Sequence, residues 1–236
     1  MRATWVWVMM ASVPSAGLLA VAAPVGDDPP PVTKKDLQIS SNNLKQIGLA
    51  FHNFNDATGA LPNNVTDKDG KALLSWRVQI LPYIEEDKLY KEFKLNEPWD
   101  SDNNKKLIAR MPKVYAPVRV KAKEGETFYQ VFTGEKALFG PKKKPRIPAS
   151  IPDGTSITGM VFEAGDPVIW TKPDDLAFDD KKALPKLGGL FDGDSQVALC
   201  DGSVKTIKKG ADEAELKKFI MPADGVPIDF TKIEKK

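Results

Sequence analysis

Leu37, Leu44, Ile47, Gly48, Phe51 and Phe54 recur at three- and four-residue spacing, with Gln, Asn and Lys between them. That is the period of one apolar stripe on an α-helix. Gly59 stops the pattern and Pro62 confirms the stop. Counted from Lys34, the helix has roughly 22–24 residues and runs ~33–36 Å at 1.5 Å per residue. A stripe this long needs a broad partner, most simply the face of a sheet. The strands of that sheet must come from later in the chain.

The later segments change period accordingly. Residues 75–93 are still helical, with Trp76, Ile80, Tyr83, Ile84, Leu89 and Phe93 inward, and Pro82 should kink or divide them. Asp100 or Ser101 can cap a short third helix running through Arg110. Beyond Pro112 the period falls towards two, and 127–132, 157–163 and 168–170 read as strands. The surest is a hairpin, 196–200 and 203–207 about Asp201-Gly202. Asp212 with Glu215 resembles a capping box for a final helix carrying Leu216, Phe219 and Ile220. Residues 141–148 read as a basic, proline-rich surface loop and 171–189 as an irregular excursion. Helices first, strands second and one terminal helix make an α+β layout, with residues 34–236 as a single domain.

Met1-Arg2, an uncharged apolar run to Ala23 and small residues at its end have the order of a secretory signal peptide over residues 1–23. Cleavage is expected after Ala22 or Ala23. The run is also long enough for a membrane anchor, but Pro14 and Gly17 inside it favour cleavage, after which no membrane span is expected. No cysteine lies near the junction, so a lipid-modified N-terminus is excluded. Residues 24–33 read as a proline-rich extended spacer.

One Cys rules out an intrachain disulfide and a Cys-based zinc site, and one His rules out a multi-histidine metal site. With 34 Lys and Arg against 32 Asp and Glu, no global charge drives binding to nucleic acid. Neither a dinucleotide or phosphate-cradling glycine motif nor a nucleophile elbow is present, so no catalytic, cofactor or metal residues are assigned. His52 reads either as a general base or as a helix-flank histidine hydrogen-bonded at the sheet edge, and the second reading is the simpler. Asp67-x-Asp69-Gly70, Asp153-Gly154, Asp192-Gly193-Asp194 and Asp201-Gly202 invite a calcium reading. The EF-hand spacing fails at Val65 and Trp76, which leaves turn residues or a calcium site of another kind. Lys142-Lys143-Lys144-Pro145-Arg146 reads as a solvated loop or a polyanion contact. Trp170, Lys172, Asp174 and Asp175 form the candidate binding surface, if Trp170 is exposed for a sugar or protein rather than packed in the core. Cys200, alternating with Ala198, is expected to be buried. Asn64-Val65-Thr66 has the form of a glycosylation acceptor.

The run Asn42-Asn43-Leu44-Lys45-Gln46-Ile47-Gly48-Leu49-Ala50 with His52-Asn53 closely resembles the NNLKQIGLALHN helix of bacterial secreted proteins in the DUF1559 family. So do Ser75-Trp76-Arg77-Val78, Leu81-Pro82-Tyr83-Ile84-Glu85, Asp153-Gly154-Thr155-Ser156, Trp170-Thr171-Lys172-Pro173, Gly188-Gly189 and Asp201-Gly202-Ser203-Val204. The resemblance implies a pilin-like fold, a long N-terminal helix on an antiparallel sheet, with additional short helices. Many relatives retain an apolar half-helix from a prepilin-type leader; this chain has a proline spacer instead, which favours a free head. No enzymatic activity comes with the family. The expectation is an exported, non-enzymatic protein, periplasmic or extracellular, that binds or assembles with envelope proteins. The alternative is a carbohydrate- or surface-polymer-binding module; an envelope hydrolase has least support.

Overall fold

The computed structural model describes residues 29–235. The signal segment and the start of the spacer lie outside the described residues. Helix α1 spans Lys34–Thr58, 25 residues. Thr33 and Asp36 cap each other's backbone N–H, a reciprocal box that fixes the helix start. Gly59 ends the helix in the left-handed region at φ 77°, its N–H returning to the Asn55 carbonyl at 2.8 Å.

Short strands β1 (Val65–Thr66) and β2 (Ala72–Leu74) pair antiparallel, and α2 (Trp76–Gln79) follows. Pro82 does divide the second helical region. A 3-10 turn, Leu81–Ile84, separates α2 from α3 (Asp87–Glu92), and Glu85 between them sits at φ 65°. The expected third helix is a 3-10 stretch, Asn104–Arg110, entered by the Ser101 hydroxyl accepting from the Asn104 N–H. A second 3-10 turn covers Lys113–Tyr115.

The main sheet has the order β3-β5-β7-β8 and is antiparallel throughout, with β3 Glu126–Gln130, β5 Gly159–Ile169, β7 Ser195–Leu199 and β8 Val204–Ile207. The Asp201-Gly202 hairpin forms as the sequence predicts. Residues 157–163 and 168–170, read as separate strands, instead contribute to one 11-residue strand, Gly159–Ile169, which leaves out 157, 158 and 170. Pairing of β3 with β5 jumps from Thr127↔Val168 to Tyr129↔Glu163, so Gly165-Asp166-Pro167 bulges outward and the strand resumes beyond it. Gly and Pro mark a bulge here, not a strand end.

The excursion is not structureless either. Its strand β6 (Leu176–Ala177) pairs parallel with β4 (Phe132–Thr133). Its two adjacent glycines permit close backbone approach: a Cβ on Gly188 would lie 2.4 Å from the Gly193 carbonyl carbon, and one on Gly189 2.2 Å from the Gly165 oxygen.

Both faces of the sheet are covered. Leu44, Ile47, Ala50 and Phe51 of α1 pack on the face carrying Met160, Val161, Ala198 and Cys200. Small residues at 198 and 200 leave room for the helix. The opposite face presents Phe162, Val197, Leu199 and Ile207 to Leu216, Phe219 and Ile220 of α4 (Glu213–Ile220). Asp212 caps α4 by accepting from the Glu215 N–H, but the Glu215 carboxylate turns to Lys218 and the Asp229 N–H, so the box closes on one side only. The end of the proline spacer is docked: Val32 and Leu37 pack beside Val118, Phe128, Leu190 and Phe191, and Arg119 donates to the Pro30 carbonyl. The fold is α+β, a long N-terminal helix on an antiparallel sheet. Among the described residues, no helix is long and apolar enough to cross a membrane.

Candidate functional site

Ser75 caps α2, its Oγ accepting from the Arg77 N–H at 3.2 Å. The short helix then turns Arg77 into the interior, where it meets Asp175 from the excursion. Their side chains are 0% and 1% exposed and 2.9 Å apart. Arg77 also donates from Nε to the Tyr129 carbonyl (2.8 Å) and from Nη1 to Ser75 Oγ (2.6 Å). Asp175 Oδ1 accepts from Trp76 Nε1 (3.1 Å) and the Val131 N–H (3.2 Å), and Oδ2 from Asn64 Nδ2 (3.4 Å). Burial alone draws the guanidinium's pKa down and the carboxyl's up; their mutual attraction opposes both. An ion pair sealed this deeply survives because hydrogen bonds saturate it.

Tyr129 continues the network to α1. Its hydroxyl meets Ser40 Oγ at 2.8 Å and accepts from Asn43 Nδ2 at 3.3 Å. Ser40 in turn bonds the carboxyl of Glu163 on β5, whose second oxygen accepts from the Gln196 N–H at 2.7 Å. Glu163 is fully buried with no cation against it among the described residues, and burial pushes its pKa up to about 8, held back somewhat by the Ser40 and Gln196 bonds. The network therefore runs from the excursion through α2 and β3 to α1 and on to β5. Its geometry fastens elements together.

Glu163 has a measurable consequence. In the unfolded chain its carboxyl ionises near 4.5; in the fold it keeps its proton up to about pH 8. Between those values the native state binds the extra proton, so stability falls as pH rises through this window. From pH 5 to 7 the loss from this one group is about 2–3 kcal/mol. Glu163→Gln keeps the shape and stays neutral, and the Ser40 and Tyr129 hydroxyls can each donate or accept to suit the amide. Urea midpoints for this variant are expected to stay level from pH 5 to 8 where the parent's decline. Parallel profiles would refute the assignment.

The structure separates the four residues of the predicted binding surface. Trp170 is 0% exposed, stacked on Tyr115 at 5.9 Å and edge-on to Phe93 at 5.7 Å, with Nε1 donating to the Ile108 carbonyl. Asp175 is buried on Arg77. Only Lys172 and Asp174 remain outside, paired to each other at 2.8 Å. Asp174 and its neighbour Asp175 face opposite ways in this irregular segment, so the four residues do not form one surface. Sequence spacing missed Ser40, Arg77 and Glu163; the signal was a polar or charged residue inside an otherwise apolar element, as in Trp76-Arg77-Val78 and Phe162-Glu163-Ala164.

His52 sits beside the Asp201-Gly202 turn, its Nε2 buried and, among the described residues, without a hydrogen-bond partner, so Nε2 does not make the expected bond at the sheet edge. The acidic turns hold themselves: Asp67 accepts from the N–H groups of Asp69 and Lys71, Asp153 from Asp224 and Gly225, and Asp201 from Ser203. Among the described residues, no three His, Cys, Asp or Glu side chains converge as a metal set would. Cys200 is buried, which raises its thiol pKa and makes it inert.

No curated protein and no solved structure matches this chain. Residues 39–138 match the family model described as "Protein of unknown function (DUF1559)". That stretch includes most of α1, with Ser40 and its amide-rich neighbours, together with Arg77 and Tyr129, whereas Glu163 and Asp175 of the buried network lie beyond it. Over residues 39–138 the chain is similar to the DUF1559 family.

Proposed function

We propose that the protein is an exported, non-enzymatic, pilin-like component of the bacterial cell envelope that acts by binding or assembly. The observation that carries this reading is the placement of three ionisable side chains in the interior. Arg77, Glu163 and Asp175 are all buried, and each is engaged in joining secondary-structure elements. A catalytic acid or base has to reach substrate. The exposed side of α1 supports a binding role, because it presents Leu49, 60% exposed, and Ile39 among Gln, Asn and Lys side chains on a helix tied down at Ser40.

The polymer-binding alternative loses Trp170 as a platform and has support only in the cavities beside the basic loop. Expression in a bacterial host tests the main reading. The chain recovered outside the cytoplasm should begin at Ala23 or Pro24, and a photo-cross-linker at Leu49 should form an adduct with an envelope component that one at Lys105 does not. Retention in the cytoplasm with Met1 intact would overturn it. So would turnover of an envelope polymer that His52→Ala abolishes without unfolding the protein.

A further inference from the structure

The basic loop that the sequence marks as solvated is held rigidly, and cavities lie on both sides of it. Asn63 Nδ2 donates to the carbonyls of Gly140 and Lys143, both at 3.1 Å, and the Leu61 N–H to that of Pro145 at 2.7 Å. Lys143 Nζ turns back onto the carbonyls of Glu135 (2.6 Å) and Ala137 (2.5 Å). Lys142 and Lys144 are thereby left exposed, and neither has an ion-pair partner among the described residues. Lys142 is held at φ 63°, a conformation that costs a non-glycine residue about 1 kcal/mol or more and that clusters at functional sites.

One flanking cavity, of 760 Å³, has an apolar floor including Leu138, Met221 and Val226. The other, of 630 Å³, is walled by hydroxyls and amides, including Thr58, Asn63, Thr66 and Gln79. Lys143 and Lys144 line both, so the loop forms a ridge between them. Glu135 and Asp224 line the first cavity, so an anionic ligand's carboxylates belong on the ridge and its uncharged parts there; no acidic side chain lines the second, and no aromatic lines either.

We propose that this ridge and its flanking cavities bind an extended acidic polysaccharide, with carboxylates on Lys142 and Lys144 and sugar hydroxyls on the amide and hydroxyl wall. The chemistry selects this class. Without aromatic faces there is no platform for stacked bases, which single-stranded nucleic acid binding uses, or for the apolar face of a neutral sugar. Compact lysine ammoniums attract anionic groups without the planar fork of arginine. A ligand that enters both cavities must be long enough to cross the ridge. The proposal deepens the binding role and rests on it.

The test is calorimetric titration of the exported protein with polygalacturonate oligosaccharides at low ionic strength, with dextran and single-stranded DNA as comparison ligands. Saturable binding of the uronate oligosaccharide alone is expected. The Lys142→Ala/Lys144→Ala pair should bind about tenfold more weakly with an unchanged melting temperature, whereas Lys105→Ala/Lys106→Ala, exposed lysines elsewhere, should bind as the parent does. No uronate binding, equal loss in both lysine pairs, an unaltered Lys142/Lys144 variant, or equally tight binding of DNA or dextran would each overturn the assignment. Such a failure, with export and the Leu49 adduct intact, would remove the ligand and leave the envelope role standing.

Discussion

Asp175→Ala is expected to destabilise the protein by about 3–5 kcal/mol, the cost of removing one partner from a buried ion pair. The carboxylate is the common acceptor for Arg77, Trp76 Nε1, the Val131 N–H and Asn64 Nδ2. Deleting it strands a guanidinium away from water and leaves the other donors unsatisfied. Asp175→Asn should also be costly, because it keeps the shape but leaves the Arg77 charge uncompensated. Arg77→Ala belongs to the same network, so the double variant should be destabilised by clearly less than the two single losses added together. Urea denaturation measures all of these. The excursion around β6 should become the first site of proteolysis in Asp175→Ala, since Asp175 is the side chain that ties it to α2. A loss below about 1 kcal/mol, the range of exposed ion pairs, would show that the pair is not sealed in solution.

Trp170→Ala should cost a similar amount, about 3–5 kcal/mol, for a different reason. The indole fills the space between Tyr115 and Phe93, and its Nε1 satisfies the Ile108 carbonyl. Truncation opens a cavity that these rings cannot collapse to fill, and it orphans the carbonyl. Trp170→Phe keeps much of the ring packing and should recover a large part of the loss. Thermal melts distinguish this from a surface role: an exposed binding residue could be truncated with little change in melting temperature. Any loss of glycan binding in Trp170→Ala must therefore be read beside the melt, and only an unchanged melt would restore Trp170 as a contact residue.

Periodicity made α1 legible. A stripe of Leu44, Ile47 and Phe51 bounded by Gly59 has few alternatives to a helix laid on a broad apolar partner, and the structure supplies that partner in the sheet. Asp201-Gly202, Pro82 and Asp212 were legible for the same local reason, since each acts on the backbone within a few residues of itself. The strand that spans Gly165-Asp166-Pro167 was not, because bulge and turn use the same residue types and only the partner strand distinguishes them. Nor was the exposure of Trp170 and Asp175, which depends on what packs over an irregular segment.

By itself, then, the sequence determined the local geometry: where helices start and stop, where the chain reverses, and which helix face is apolar. Tertiary structure alone decided which polar groups meet. Ser40 reaches Glu163 across 123 residues and Arg77 reaches Asp175 across 98, and nothing in the spacing of either pair reports the other. Helix period and turn chemistry are short-range backbone properties, whereas burial of a charge is permitted only once a distant partner arrives to replace its water.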